Sequence, residues 1–474
     1  MKNWKIYING EWMETEKTIE VINPATKEVI ATIPDGGTVE AERAADAAYG
    51  ALKEWSKLTA NERADYLMKW YYLIDQNKEE IGKLMTQEQG KPLAEAIGEV
   101  GYANSFISWY AEEGKRIYGE TIPASHPNKR LFVQKEPVGV IAAITPWNFP
   151  AAMITRKVGP ALAAGCTAMI KPATQTPLTA IRLVELAEEA GIPKGVINIV
   201  TGSARQISEA WMKDGRVRKV SFTGSTEVGK LLMRGAADTV KKLSLELGGH
   251  APFIVTANAD IEKAAKNLIA SKYRNAGQTC VCANRVYVHE SIEAEFAEAF
   301  KQEVAKLKVG NGLDEGVTIG PLIDEQAVDK VISQIEDAKQ KGAKVLAGGQ
   351  TAEGVNGYFL EPTVITNVTD DMLCMNEETF GPLAPIATFK TTDEVIERAN
   401  NSPYGLAAYV FSENITEAIT IAEGLEYGIV GLNDGLPSVA QAPFGGYKES
   451  GLGREGSHYG IDEYLEIKYI SLGL

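Results

Sequence analysis

The sequence predicts an α/β protein: a doubly wound parallel sheet, a second α/β unit after it, and two stray strands belonging to neither. Three observations carry that expectation. From Val138 onward, short apolar, β-branched runs alternate with helical segments. A second alternation of the same kind begins beyond Gly248. Residues 131–135 and 464–471 alternate like strands but lie beside the two main units, as edge strands that pair with another subunit often do.

Taken in order, Thr38 is a candidate cap for a helix whose apolar stripe is Ala41, Ala44, Ala45, Ala48, Leu52 and Trp55. Thr59 and Glu62 form a capping-box pattern ahead of another long helix. The alternating region then reads as strand 138–144, helix 150–164, strand 167–170, helix 176–190 and strand 196–200. Strand 219–223, helix 226–237 and strand 242–247 complete it. Such strands are buried on both faces, and a sheet of this kind binds ligands at the carboxyl ends of its strands. Candidate strands of the second unit are 286–289, 407–411 and 429–432.

A chain of 474 residues is too long for one ordinary core, so two or more domains are expected. The net charge of -15 argues against a nucleic-acid or anionic-membrane surface. The longest nearly uncharged stretch, 138–155, contains Pro146 and Pro150 and would break rather than span a bilayer. The N-terminus has no apolar run of signal-peptide length, so a cytoplasmic enzyme is the expectation. Four cysteines (Cys166, Cys280, Cys282 and Cys374) are too few and too scattered for a disulfide framework.

The turn Gly224-Ser225-Thr226-Glu227-Val228-Gly229 follows a strand and opens a helix. Free N–H groups and the positive dipole end suit a phosphate there. Lys230 follows, but Leu231 stands where a Walker motif has its magnesium-binding hydroxyl. A purely structural turn is the alternative. Cys280 and Cys282 are one residue apart, and the four histidines show no ligand spacing, so no metal site is expected. A nucleophilic cysteine needs a base. Glu246, at the end of an apolar strand, is the candidate carboxylate; a solvated strand-end charge is the alternative. Asn148, after strand 138–144, can offer its side-chain N–H to a developing oxyanion, or can simply cap the turn before Pro150.

Six motifs in order resemble the aldehyde dehydrogenase superfamily over essentially the whole chain. They are Pro146-Trp147-Asn148, Phe222-Thr223-Gly224-Ser225, Leu245-Glu246-Leu247-Gly248-Gly249, Gly277-Gln278-Thr279-Cys280, Glu377-Glu378-Thr379-Phe380-Gly381-Pro382 and Pro443-Phe444-Gly445-Gly446-Tyr447-Lys448. The resemblance implies Cys280 as nucleophile, Glu246 as general base, and Asn148 with the Cys280 N–H as oxyanion hole. It implies Lys171 and Glu378 on the two riboses of the cofactor, Ser225 on the pyrophosphate, and Trp147 and Phe380 lining the cofactor and nicotinamide pockets. It further implies a cofactor domain (1–118 and 138–248), a catalytic domain (249–448) and a β-strand oligomerisation extension (119–137 and 449–474), hence a homodimer or homotetramer.

More narrowly, Arg156, Arg274, the Cys280-x-Cys282 pair and Ser438 resemble the succinate-semialdehyde dehydrogenases. That likeness implies Arg156, Arg274 and Ser438 on the substrate's carboxylate; an internal salt bridge is the alternative for Arg156. A different ω-carboxylated aldehyde, such as glutarate semialdehyde, is the alternative substrate, and a broad aliphatic aldehyde the other. Cys282 is either a redox partner for Cys280 or a small packing residue. Where members of the family that prefer NAD commonly carry a glutamate three residues after the lysine, this chain has Thr174. Without that charge, NADP is the expected cofactor, with NAD possible.

Overall fold

The computed structural model describes residues 4–474; residues 1–3, the start of the expected cofactor unit, lie outside the described residues. An eight-stranded sheet runs Glu11–Met13, Ile6–Ile8, Ile197–Ile199, Thr167–Lys171, Val140–Ile144, Val217–Thr223, Lys242–Glu246, Gly451–Leu452. Its five inner strands are parallel and its flanks antiparallel. The chain builds outward from Val140–Ile144 to Ile197–Ile199, then returns to the other side at Val217–Thr223. The reversal leaves a crevice at the carboxyl ends of Val140–Ile144 and Val217–Thr223, where such sheets take ligands. Separate apolar clusters cover the two faces, one around Trp70, Phe106 and Ile141, the other around Ile6, Trp211 and Val220.

The second sheet runs Lys344–Ala347, Thr363–Thr366, Leu383–Phe389, Ala283–His289, Ala251–Val255, Ala407–Phe411, Ile429–Leu432. It is parallel except for its Lys344–Ala347 edge and has its own core. Among the described residues no helix is long and apolar enough to cross a membrane.

Three details differ from the sequence expectation. Thr38 is the first residue of helix Thr38–Trp55 rather than its cap. Gly37 occupies the cap, and Glu40 accepts its N–H at 2.8 Å. By contrast, Thr59 and Glu62 form the expected reciprocal box. The two stray strands pair with each other, Lys129–Pro137 against Leu465–Gly473 in a nine-residue antiparallel register. The outer strand of that ribbon exposes Ile467, Tyr469 and Leu472. Finally, residues 449–474 do not lie wholly in the extension. Gly451–Leu452 pairs with the end of Lys242–Glu246, because Gly451 (φ +149) brings its backbone against Leu245 where a side chain would collide.

One buried corner fixes the helices beneath the crevice. Helices Lys78–Gln89 and Leu93–Glu113 meet at Gly90, whose φ of +97° is left-handed. Glu88 accepts the N–H groups of Leu178 (2.7 Å) and Thr179 (2.9 Å) at the start of helix Pro177–Glu189. Glu99 accepts those of Ala151 (3.0 Å) and Ala152 (3.3 Å) at the start of helix Ala152–Ala164. Carboxylates at helix N-termini satisfy orphan donors and complement the dipole. Lys91 pairs with Glu99 and donates to the Asn148 carbonyl at 2.7 Å. Lys91→Met removes the cation and leaves Glu99 buried. It is expected to lower stability by about 3–5 kcal/mol, read as a reduced urea midpoint at unchanged m. A loss below about 1 kcal/mol would contradict the pairing argument.

Candidate active site

The segment before strand Ala283–His289 is conformationally costly. Asn275, Ala276 and Gly277 have φ of +52°, +53° and +78°. Left-handed backbone costs roughly 1–2 kcal/mol for a residue with a Cβ, somewhat less for asparagine. Gly277 has no room for a side chain, because an added Cβ would overlap the Gly381 carbonyl. Hydrogen bonds over-determine the segment. The Asn275 N–H donates to Glu95 at 2.8 Å, and its side-chain amide donates to the carbonyls of Asn148 (3.0 Å) and Gln278 (3.2 Å). Gln89 donates to Asn275 Oδ1 at 2.8 Å. Gln278 bonds Asn275, Pro321 and Ile323. The result presents Cys280, partly exposed, to the crevice.

Asn148 stands at the carboxyl end of strand Val140–Ile144 and is buried. Its Nδ2 donates one hydrogen to the Gln278 carbonyl at 3.0 Å. The second hydrogen of that amide remains for a ligand. Burial pushes the Cys280 thiol up to about 12, Arg156 and Arg274 pulling down and Glu246 and Glu378 pushing up. Glu246 ends strand Lys242–Glu246, is buried, and its Oε2 has no hydrogen-bond partner. Burial, and next the neighbouring Glu455, hold its carboxyl well above the usual range.

A cleft of about 290 Å³ joins Cys280 and Asn148 to Trp147, Gly224, Ser225 and Glu378, with Phe380 and Lys330 on its walls. Trp147 and Phe380 meet edge to face, ring centroids 5.5 Å apart. Ser225 caps helix Thr226–Ala236 through its own side chain, accepting from the Val228 N–H at 3.4 Å. Gly229 lets that helix press on Leu247, which a Cβ would displace. Such close packing at a helix N-terminus, with Gly224 and Ser225 lining the cleft, fits a dinucleotide's phosphates. Glu378 accepts the Gly249 N–H at 3.0 Å, and burial raises its carboxyl to about 7. Lys171, which ends strand Thr167–Lys171, donates to the Pro172 carbonyl (2.9 Å) and reaches Thr174 Oγ1 (3.5 Å). Burial alone lowers its pKa to about 8. An ammonium with no carboxylate partner among the described residues fits a ribose or phosphate ligand.

Of the residues linked to a carboxylate, Arg156 is already matched. It pairs with Glu455 at 2.7 Å and lies 3.9 Å from the Phe444 ring centre, so the internal salt bridge is present. Lys157 also pairs with Glu455, and the two cations keep that carboxyl below the usual range despite burial. Arg274 has no carboxylate partner among the described residues; its Nε, like that of Arg156, is buried without a hydrogen bond there, and its guanidinium lies 5.3 Å from the Phe149 ring centre. It lines a second cavity of about 350 Å³ with Leu436, two residues before the half-buried Ser438. Cys282 is fully buried, its sulfur 3.4 Å from Lys272 Nζ, as a packing residue would be.

Sequence reasoning missed Gln89, Lys91, Glu95, Glu99, Asn275 and Glu455. Glu99 carried a signal, a carboxylate on the same apolar stripe as Ala96, Val100 and Ala103. Glu455 lies in an irregular stretch with no such pattern.

The sequence profile described as "Aldehyde dehydrogenase family" matches residues 12–470. A glutarate-semialdehyde dehydrogenase of Pseudomonas putida is 57% identical, covering 99% of this chain and 97% of its own. The NADP(+) succinate-semialdehyde dehydrogenase of Escherichia coli is 55% identical, covering 98% and 97%. The crystal structure of succinate-semialdehyde dehydrogenase from Burkholderia pseudomallei superposes with a TM-score of 0.98 at 53% identity, covering 100% of this chain and 98% of that one. Similarity this high, over nearly all of the chain, has one reading: the chain belongs to the aldehyde dehydrogenase family.

Proposed function

We propose that the chain oxidises succinic semialdehyde to succinate through a thioester on Cys280, with NADP preferred and NAD also used. The observation that carries this reading is the single cleft shared by Cys280, Asn148, Gly224, Ser225 and Glu378. Relatives named for succinate and glutarate semialdehydes support the substrate class, and glutarate semialdehyde, one methylene longer, is the second reading. Residues 1–118 and 138–248 hold the cofactor and 249–448 carry the nucleophile. The ribbon of 119–137 with the C-terminal residues of 449–474 assembles a homodimer or homotetramer in the cytoplasm.

In this reading Cys280 Sγ, once deprotonated, adds to the aldehyde carbon. The free Asn148 amide hydrogen and the Cys280 N–H hold the resulting oxyanion. The nicotinamide cofactor, when bound, supplies the hydride acceptor. Lys171 and Thr174 would hold its adenine ribose, Gly224 and Ser225 its pyrophosphate and Glu378 its second ribose, with Trp147 and Phe380 lining the pocket. Glu246 then draws a proton from water, which attacks the thioester carbonyl and releases the acid and the thiol. Arg274 and Ser438 bind the far carboxylate. Arg156, with its charge shared by Glu455, holds the site's potential around Cys280 and Glu246 and contributes to that carboxylate's field.

Three outcomes follow. Glu246→Gln retains a burst of reduced cofactor and loses steady-state turnover by about a hundredfold or more. Because burial raises both Glu246 and Cys280, wild-type turnover climbs as pH rises, and the variant loses the part of that rise due to Glu246. Stopped-flow absorbance checks both, and a variant with no burst would make Glu246 the thiol's base as well. Arg274→Ala lowers kcat/KM for succinic semialdehyde by about ten- to a hundredfold, while butanal changes far less. Equal losses for both substrates would reject the carboxylate reading. Thr174→Glu raises KM for NADP by about tenfold or more and leaves NAD nearly unchanged, since the new carboxylate repels the 2′-phosphate. Steady-state kinetics with both cofactors would remove Thr174 from the account if the two shifted together.

A further inference from the structure

Three glutamates of the corner formed by Lys78–Gln89 and Leu93–Glu113 accept backbone N–H groups, and two of them cap helices. Glu95 does something different. It lies in the first turn of Leu93–Glu113, and its Oε2 accepts the N–H of Asn275, the residue next to Arg274. Glu95 and Arg274 also line the same cavity, together with Leu436. The carboxylate is spent on the backbone, while the Arg274 guanidinium fork has no carboxylate partner among the described residues and its Nε stays buried and unbonded there. The charge of Glu95 nevertheless lies within the field of that fork. Burial raises the Glu95 carboxyl, and the Asn275 N–H, then Lys91 and Arg274, pull it back toward the charged form. Lys91 is committed to Glu99 and the Asn148 carbonyl, whereas Arg274 has no carboxylate partner among the described residues.

We propose that Glu95 is a specificity-determining residue that sets how strongly the Arg274 end of the site attracts a carboxylate. A negative charge beside the fork subtracts from the attraction felt by an incoming anion, and equally from that felt by the dicarboxylate product. The site therefore recognises the charged aldehyde without retaining the acid made from it. The same side chain holds the Asn275 N–H, so the carboxylate-binding end is tied to the strained backbone that presents Cys280. This inference rests on the reading that Arg274 binds the substrate's carboxylate.

Glu95→Gln tests it, because the amide oxygen can still accept from Asn275 while the charge is gone. The ratio of kcat/KM for succinic semialdehyde to that for butanal is expected to rise about three- to tenfold, the size of one partly screened charge at close range. Inhibition by succinate is expected to tighten by a similar factor. Glu95→Asp keeps the charge on a shorter stem that cannot reach Asn275 equally well. It should lower kcat for both aldehydes and leave their ratio near the wild-type value. A ratio and a succinate inhibition constant unmoved by Glu95→Gln would overturn the inference while the carboxylate reading stands. A wild-type enzyme showing no preference for succinic semialdehyde over butanal would overturn both.

Discussion

The hydrogen bond from Asn148 Nδ2 to the Gln278 carbonyl joins the carboxyl end of a first-sheet strand to the segment that carries Cys280. Asn275 doubles the link by donating to the Asn148 carbonyl as well as to Gln278. Each α/β unit has its own sheet and core, and these amides set the distance between Cys280 and the first-sheet strand ends. The geometry also reserves the second Asn148 hydrogen, which neither carbonyl uses. An oxyanion donor preorganised in this way pays no reorganisation cost when charge develops.

Holding that link requires buried charge. Lys91 binds the Asn148 carbonyl, is neutralised by Glu99, and Glu99 in turn caps the helix that follows Asn148. A buried pair contributes little net stability compared with apolar packing, but breaking one is costly, so its value here is positional. The left-handed run Asn275-Ala276-Gly277 follows the same logic. Its strain is tolerated because Gln89, Glu95 and Gln278 leave the backbone few alternatives. Behind Cys280 the electrostatics are asymmetric. Glu455 has two cations that lower its carboxyl below the usual range, whereas Glu246 has an oxygen without a partner among the described residues and is raised by burial. Two carboxyl groups pushed apart in pKa by their surroundings can divide structural and proton-transfer work between them.

The strand and helix rhythm from Val140 to Glu246 was legible because strands covered on both faces leave continuous apolar runs. Glu246 and Asn148 stood out because each terminates or follows such a run, and the sheet's topology makes strand ends functional; Cys280 stood out through the motif Gly277-Gln278-Thr279-Cys280. The supporting shell was less visible. Glu95, Gln89 and Asn275 are polar residues whose partners lie about 180 positions away in the chain, and no local period encodes those meetings. The Arg156–Glu455 pair is of the same kind: an internal salt bridge was the alternative for Arg156, but no local pattern pointed to Glu455 as its partner. The pairing of Lys129–Pro137 with Leu465–Gly473 was hidden likewise, since alternation identifies a strand and not its neighbour.

The central claim is that carbon is transferred through a covalent bond to Cys280. Peptide mass spectrometry on Glu246→Gln, acid-quenched during turnover with succinic semialdehyde and NADP, tests it most directly. The account predicts a succinyl group on the peptide containing Cys280, removable by hydroxylamine and absent when the cofactor is omitted. An unmodified Cys280 accompanied by stoichiometric reduced cofactor would contradict it.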